Sequence, residues 1–415
     1  MSTGGVALDE AVTAQEASPI GVARLSKMMF DGEDLGPLWR DLIGKYIYQR
    51  GDAAALMDLA VVEQLFGNRE DGLARQAEAL ELCRIYRSPV EGEVPSLRLL
   101  AFAGPGDIGA NTPLEFLLPG GEVALTTLYI LPGAALPHPL PEHDLAIVAL
   151  GESDENRPVL DEIGRLIENW PCPVLNPPNR ILKLSRERLH ALLQAVPGLV
   201  IPMTARIDRA DLDRIGAGEA SLAAFLADGA FPLILRPVGS HAGHGLAKLA
   251  ARDAIGAYLA ERPEAQFYIS RFVDYSGDDR LFRKYRIVFI DGRAYACHMA
   301  ISEQWMIYYL NANMKESAAK RAEEAHFMTA FDEDFARRHG PALAAIAERV
   351  GLDYFGIDCA ETKEGDLLLF EADIAMIVHA MDDPAIFPYK PPQMRKVFDA
   401  FGTMLHRRRG RVGPS

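Results

Sequence analysis

The chain is expected to be an α/β protein with a helical segment in front, on three observations. Apolar residues recur at three and four spacing from Gly36 to Tyr86, the period of an amphipathic helix. From Leu97 onward, short apolar runs alternate with helical ones, as in a layered α/β sheet. Near the end, Gly351 to Asp373 reads GLDYFGIDCAETKEGDLLLFEAD, two strand-like runs joined through a glycine-containing turn.

Composition bounds the reading. At 415 residues the chain can bury more than one core, and domains of 100 to 200 residues give a prior of about three. With 49% hydrophobic and 24% charged residues it is an ordinary globular sequence. A net charge of −15 argues against a general nucleic-acid surface, although a small anionic ligand can still sit in a local basic pocket. Cys83, Cys172, Cys297 and Cys359 lie far apart with no C-x-x-C, which points to reduced, buried thiols. No apolar run reaches the 18 residues of a membrane span, so no membrane partner and a cytoplasmic location are expected.

Met1 to about Ser18 is small, polar and expected to be loose. The helical region has breaks at Arg50-Gly51-Asp52 and Gly67-Asn68 and resembles one tetratricopeptide-type helix pair. A free-standing array needs at least three such repeats, so these helices are expected to act as an accessory cap or as a docking surface for a protein partner. The expected division is residues 1–90 helical, 91–175 a small α/β domain and 176–410 a larger unit.

In the small domain, Leu97–Ala103, Val123–Leu131, Leu145–Leu150 and Val174–Leu175 are expected strands, and Pro158–Trp170 a helix. Gly104-Pro105-Gly106-Asp107-Ile108-Gly109 is a literal G-x-G-x-x-G, which in a dinucleotide site needs an acidic residue ending the next strand. That strand ends in Leu131-Pro132-Gly133, so a tight glycine turn is the favoured reading. Arg180–Ala195, carrying Lys183, Arg186 and Arg188, and Ala220–Asp228 are expected helices. A strand is expected to follow Pro197–Thr204. In FPLILRPVGSHAGHGLAKL, Phe231 to Leu249, a strand ending in Arg236 enters a loop with Gly239, Ser240, Gly243 and Gly245 and leaves as a second strand. Such glycines let backbone N–H groups turn toward an anion. His241 and His244 are read as polar loop residues, because no third metal ligand accompanies them.

In the hairpin, a two-residue loop at Glu364-Gly365 sets Asp358 opposite Glu371, with Asp373 two residues along on the same face. At that separation each like-charge pair costs about 3 kcal/mol at an effective dielectric near 20. The cluster must stay wet, take up protons or hold a cation, and oxygen-only ligands suit magnesium or manganese.

Taken together, a strand with a cation and proline, then G-S-x-x-G-x-G, then a G-I-D strand paired with F-E-x-D resembles the ATP-grasp superfamily, nearest in pattern to its glutathione synthetase and RimK-like ligases. The fold this implies is two α+β ATP-grasp lobes preceded by a small α/β pre-grasp domain and the N-terminal helical domain. Phe267–Asp274 resembles the hinge strand, so Ser270, Phe272 and Val273 are implied to meet the adenine. Tyr285–Gly292 resembles the R-V-x-V-x-x-G strand pair, with Arg286 as the catalytic arginine at the transferred phosphate. Arg186 and Arg236 are implied to hold the α- and β-phosphates under the glycine loop, and Asp358, Glu371 and Asp373 to bind magnesium. Every nucleotide candidate lies beyond Asn176, so residues 1 to about 90 are not expected to be needed for ATP binding.

Three departures stand out. The family usually has lysine where Arg236 stands, and often a second lysine near Arg186 in the preceding helix; Asp373 stands where asparagine is usual; and His298–Met314 lacks the N-x-x-x-G-G pattern of the peptide-forming members. The implied activity is an ATP-dependent carboxylate–amine ligase working through an acyl phosphate, with ATP, a carboxylate and an amine as ligands. The alternatives are an ATP-binding regulator with a degenerate domain, a small-molecule kinase of the same fold, and a nicotinamide oxidoreductase using Gly104–Gly109. His298 is read as a core histidine, and a homodimer is among the expected assemblies.

Overall fold

A computed structural model of the chain describes residues 15–49, 51–90, 94–240, 243–307 and 311–409. Residues 1–14 of the start expected to be loose, and His241, lie outside these residues; within that start, Glu16–Ala17 form a strand paired with Ile85–Tyr86. The helical region forms α1 (Val22–Phe30), α2 (Gly36–Tyr48), α3 (Ala53–Leu65) and α4 (Arg69–Leu82). Asp52 caps α3 by accepting from the Ala55 amide at 3.0 Å. Gly51 and Gly67, with φ of 141° and 89°, make the two breaks.

Helix does not continue to Tyr86, as the periodicity suggested. Cys83 turns extended, and Ile85–Arg87 forms a strand whose Tyr86 hydroxyl donates back to the Ala79 carbonyl at 3.0 Å. The first sheet holds β1 (Glu16–Ala17), β2 (Ile85–Arg87), β3 (Leu97–Ala103), β4 (Val123–Tyr129), β5 (Leu145–Val148) and β6 (Val174–Leu175), in the order β1-β2-β4-β3-β5-β6. β3 to β6 pair in parallel, and β2 pairs antiparallel to β4. The helical segment is therefore stitched into this sheet by β1 and β2, on both sides of α1 to α4.

Beyond Asn176 the chain builds two further sheets. After β7 (Leu199–Val200), an antiparallel sheet forms from β8 (Thr204–Asp208), β9 (Leu233–Pro237), β10 (Ala247–Leu249) and β11 (Gln266–Arg271), in the order β10-β9-β11-β8. A larger sheet follows from β12 (Phe282–Ile290), β13 (Arg293–Ser302), β14 (Tyr354–Glu361) and β15 (Leu367–Asp373), with β7 at its edge beside β15. The fold is thus mixed α/β, as expected. The smaller sheet has its own core around Leu233, Leu235, Phe267 and Ile269, whereas one continuous core joins the first sheet to the larger one.

Two helices depart from expectation. Arg180–Ala195 is broken at Ser185, whose ψ of 145° leaves Lys183 in a short 3-10 turn and lets Arg186 open a new helix, Arg186–Leu193. Ala220–Asp228 is only a 3-10 turn at Leu222–Ala224. The helix lies earlier, Arg209–Ala217, and stops where Gly218 enters the left-handed region at φ 82°. Leu226 is still fully buried in the smaller core, so its apolar spacing reflects packing of a turn.

Candidate active site

A cleft of about 800 Å³ opens between the two later sheets. Among the described residues, its lining carries six Lys or Arg and four Asp or Glu, the reverse of the whole chain's 43 against 58. Strand register explains how the charges arrive there. Arg286 on β12 lies directly opposite Asp358 on β14, and Asp358 opposite Glu371 on β15. Lys284 precedes Arg286 by two, so it falls on the same face of its strand.

The hairpin reaches its expected pairing by an unexpected route. Its loop has three residues, closed by Thr362 and Asp366 with Gly365 at φ 89°. That shifts Glu361 opposite Leu367 and Cys359 opposite Leu369. A bulge at Phe370 then restores Asp358 to Glu371 and sets Asp373 opposite Gly356.

Asp358 is 2% exposed and does not meet bare like charges. Arg286 donates to it from Nε at 2.8 Å and Nη2 at 3.0 Å, and Lys284 Nζ at 2.9 Å. Burial would raise the Asp358 carboxyl, but the Arg286 and Lys284 charges outweigh it and hold it far below the carboxylate range. Glu371 accepts from Arg186 Nη2 at 2.5 Å. It too is held down, the Arg186 charge overcoming burial and the repulsion of Asp358. Asp373 Oδ1 accepts from the Ala375 amide at 3.0 Å. The like-charge repulsion expected of the hairpin is thus met by protein cations. Among the described residues no three His, Cys, Asp or Glu side chains converge as a cation cage. The donors have the oxygen chemistry that magnesium prefers, but as they stand they do not fit a resident ion.

Arg236 turns onto its own loop, donating to the Ser240 carbonyl and, from Nε at 3.3 Å, to the Ser240 hydroxyl. Burial, then the neighbouring Arg186 charge, pushes its guanidinium down to about 10, still cationic at neutral pH. Gly239, Gly243 and Gly245 all have φ between 66° and 76°, which only glycine adopts freely. A Cβ on Gly245 would also sit 2.6 Å from the Pro237 ring. Gly243 lines the cleft, as do Ser270, Phe272 and Val273, while Gly239, Ser240 and Gly245 shape the loop behind it. Lys183 and Arg188 are exposed and outside the lining, and His244 is exposed. His298 lies across from Arg286 and lines the cleft. Burial, followed by the Arg286 charge, lowers its imidazole well below the usual range, leaving it neutral.

Sequence reasoning missed two contributors. Lys284 was legible only as a second cation two residues before Arg286. The other is the N-terminal segment, since Gln64, Arg69 and Asp107–Gly109 also line the cleft. Gln76 accepts the Gly106 amide at 2.8 Å and Gln64 the Ile108 amide at 2.9 Å. Asn111 takes the Gly104 amide at 3.0 Å and Asp107 that of Gly109 at 3.1 Å. The first glycine loop therefore offers none of these four N–H groups to a phosphate. Among the described residues no helix is long and apolar enough to cross a membrane.

No protein-family model and no curated protein matches the chain. Solved structures do. A D-Ala:D-Ser ligase, VanG, from Enterococcus faecalis is 11% identical, covering 75% of this chain and 100% of that one with a TM-score of 0.46. A RimK domain ATP-grasp protein from Sphaerobacter thermophilus is 15% identical, covering 74% and 99% with a TM-score of 0.42. A D-alanine–D-alanine ligase from Bacillus anthracis, complexed with ATP, is 13% identical, covering 77% and 100% with a TM-score of 0.43. ATP-grasp ligases are what this chain is similar to among solved structures, at low identity.

Proposed function

We propose that the protein is an ATP-dependent ligase that joins a carboxylate to an amine. The observation that carries this reading is the convergence of Arg186, Arg236, Lys284 and Arg286 from separate elements on one cleft, beneath a loop of left-handed glycines. Such an array in an acidic chain suits a polyphosphate. The nucleotide base would lie against Ser270, Phe272 and Val273, and Arg186 and Arg236 would grip the inner phosphates. A substrate carboxylate oxygen attacks the γ-phosphorus and ADP leaves. The amine nitrogen then attacks the acyl carbon, phosphate departs and the amine releases a proton. Arg286 stabilises the charge that develops on the transferred group, and positioning with charge neutralisation carries most of such a transfer. Magnesium, with manganese as the alternative, enters this reading with the nucleotide rather than as a resident ion. We place the enzyme in the cytoplasm.

A second reading, an ATP-binding regulator without turnover, is favoured by one observation: Asp358 and Glu371 are already closed by ion pairs. ADP release, measured with magnesium against pooled amino acids and small acids, separates the two. Release that needs both an acid and an amine supports the ligase. Nucleotide binding with no release in any pool supports the regulator, and absence of nucleotide binding overturns both.

A further inference from the structure

We infer that Lys284 is a built-in cation for the bound phosphates, held at Asp358 where a divalent ion would otherwise be needed, so that nucleotide binding here depends little on that ion. The inference rests on the nucleotide-binding reading above and concerns how the charge at that site is met.

The geometry assigns the role. Asp358 has two oxygens, and both accept from cations: Oδ1 from Arg286 Nε, Oδ2 from Arg286 Nη2 and Lys284 Nζ, all within 2.8–3.0 Å. Oδ2 is thereby filled and Oδ1 keeps one lone pair, so an ion binding there at about 2.1 Å would have to stand against the Arg286 and Lys284 charges. Around it the charges do not merely balance. Arg186, Arg236, Lys284 and Arg286 face the cleft against Asp358 and Glu371 at the centre, with Asp373 at the edge. A divalent cation entering that centre alone meets net positive charge, whereas a triphosphate meets attraction.

Lys284 is the member free to serve both partners. Its side chain is about as exposed as that of Arg286, 15% against 19%, and both line the cleft, so the difference lies in how each is held. An ammonium carries three donors on a flexible stem, so it can hold Asp358 with one and turn the others to a phosphate oxygen. Arg286, spread over Asp358 and the Ile377 carbonyl at 3.1 Å, is the more fixed of the two.

Calorimetric titration of the full chain with a β,γ-imido analogue of ATP, once with magnesium and once with EDTA, tests this. The wild-type affinity in EDTA should lie within about tenfold of that in magnesium. Lys284→Met should weaken binding about 10- to 100-fold in EDTA and clearly less in magnesium, while Lys284→Arg keeps the EDTA binding. Should Lys284→Met fail to fold, Lys284→Gln, whose amide can still donate to Asp358 but carries no charge, gives the same readout. Wild-type binding that appears only with magnesium, or an equal loss for Lys284→Met in both buffers, overturns the inference and leaves the ligase reading standing. No binding in either buffer overturns the ligase reading itself.

Discussion

Two glycine-rich loops reach the same cleft and do opposite things there. Gly104–Gly109 carries the better-known spacing, yet Gln64, Gln76, Asn111 and Asp107 consume its N–H groups, and it serves as a joint between the helical region and the first sheet. Gly239–Gly245 has no standard spacing. Its described glycines lie in the left-handed region, and it is fastened from behind by Arg236 through Ser240. The lesson is that glycine spacing describes what a backbone can do, while the side chains that reach its amides decide what it does.

The largest effect should come from Gly245→Ala. The methyl meets the Pro237 ring at a positive φ, and strain of this kind costs about 3 kcal/mol. Denaturant unfolding and nucleotide titration should both show the loss. Unchanged values would mean the loop relaxes freely and the two loops are not so different.

Next is Arg236→Ala, expected to weaken ATP binding by about 1.5–3 kcal/mol, the range for hydrogen bonds to charged groups. Arg236→Lys should recover only part, because the guanidinium fork is lost. Full affinity in the Ala variant would reduce Arg236 to a structural fastener.

Gln64→Ala and Gln76→Ala test the other loop. Each leaves one amide without its acceptor, costing about 1–2 kcal/mol of stability, and for Gln76→Ala, which lies outside the cleft lining, nucleotide affinity is expected to stay as it is. A drop in affinity beyond the stability change would erase the contrast and make the first loop part of the binding site.

The smallest effect concerns the helices behind that joint. Asp58 accepts the Ile20 and Gly21 amides. Burial, only partly opposed by those bonds, raises its carboxyl from 3.8 to about 6. The raised value favours the protonated form in the folded state. Its stabilising contribution therefore grows as pH falls from 7 and is gone above 7, amounting to about 1 kcal/mol by pH 5.5. Thermal melts at pH 7 and 5.5 should show this gain shrinking in Asp58→Asn. An unchanged pH response would assign it to other groups.

Legibility followed the range of the forces involved. Strands β3, β14 and β15 were readable because alternation and turn chemistry are local. The Asp358–Glu371 pairing was reached through two errors that cancel, a loop one residue longer and a bulge at Phe370. A pattern of period two cannot see a bulge. Lys284 on Asp358 was hidden because an ion pair 74 positions apart leaves no local pattern. The β2 strand and the Gln64 and Gln76 contacts were missed for the same reason: each is decided by a neighbour distant in sequence. The Arg209–Ala217 helix was missed because the apolar spacing at Leu222 and Leu226 pointed to the wrong segment.

Between β7 and β8 the chain leaves one sheet for the other. Val200 pairs with Leu368 in the larger sheet and Thr204 with Ser270 in the smaller. At about 3.5 Å per residue, this strap reaches roughly 14 Å at full stretch. Pro202 stiffens it by fixing its own φ and narrowing that of Ile201. The return strap, from Arg271 to Phe282, is several residues longer. The longer strap is itself fastened, with Tyr275 buried against Phe282 and Phe370. Both straps leave the smaller sheet at one end, where Thr204 pairs with Ser270 and Leu233 with Arg271, and the glycine loop leaves at the other, past Pro237 opposite Phe267, so the ties between the sheets and the loop stand at opposite ends of the cleft's smaller wall.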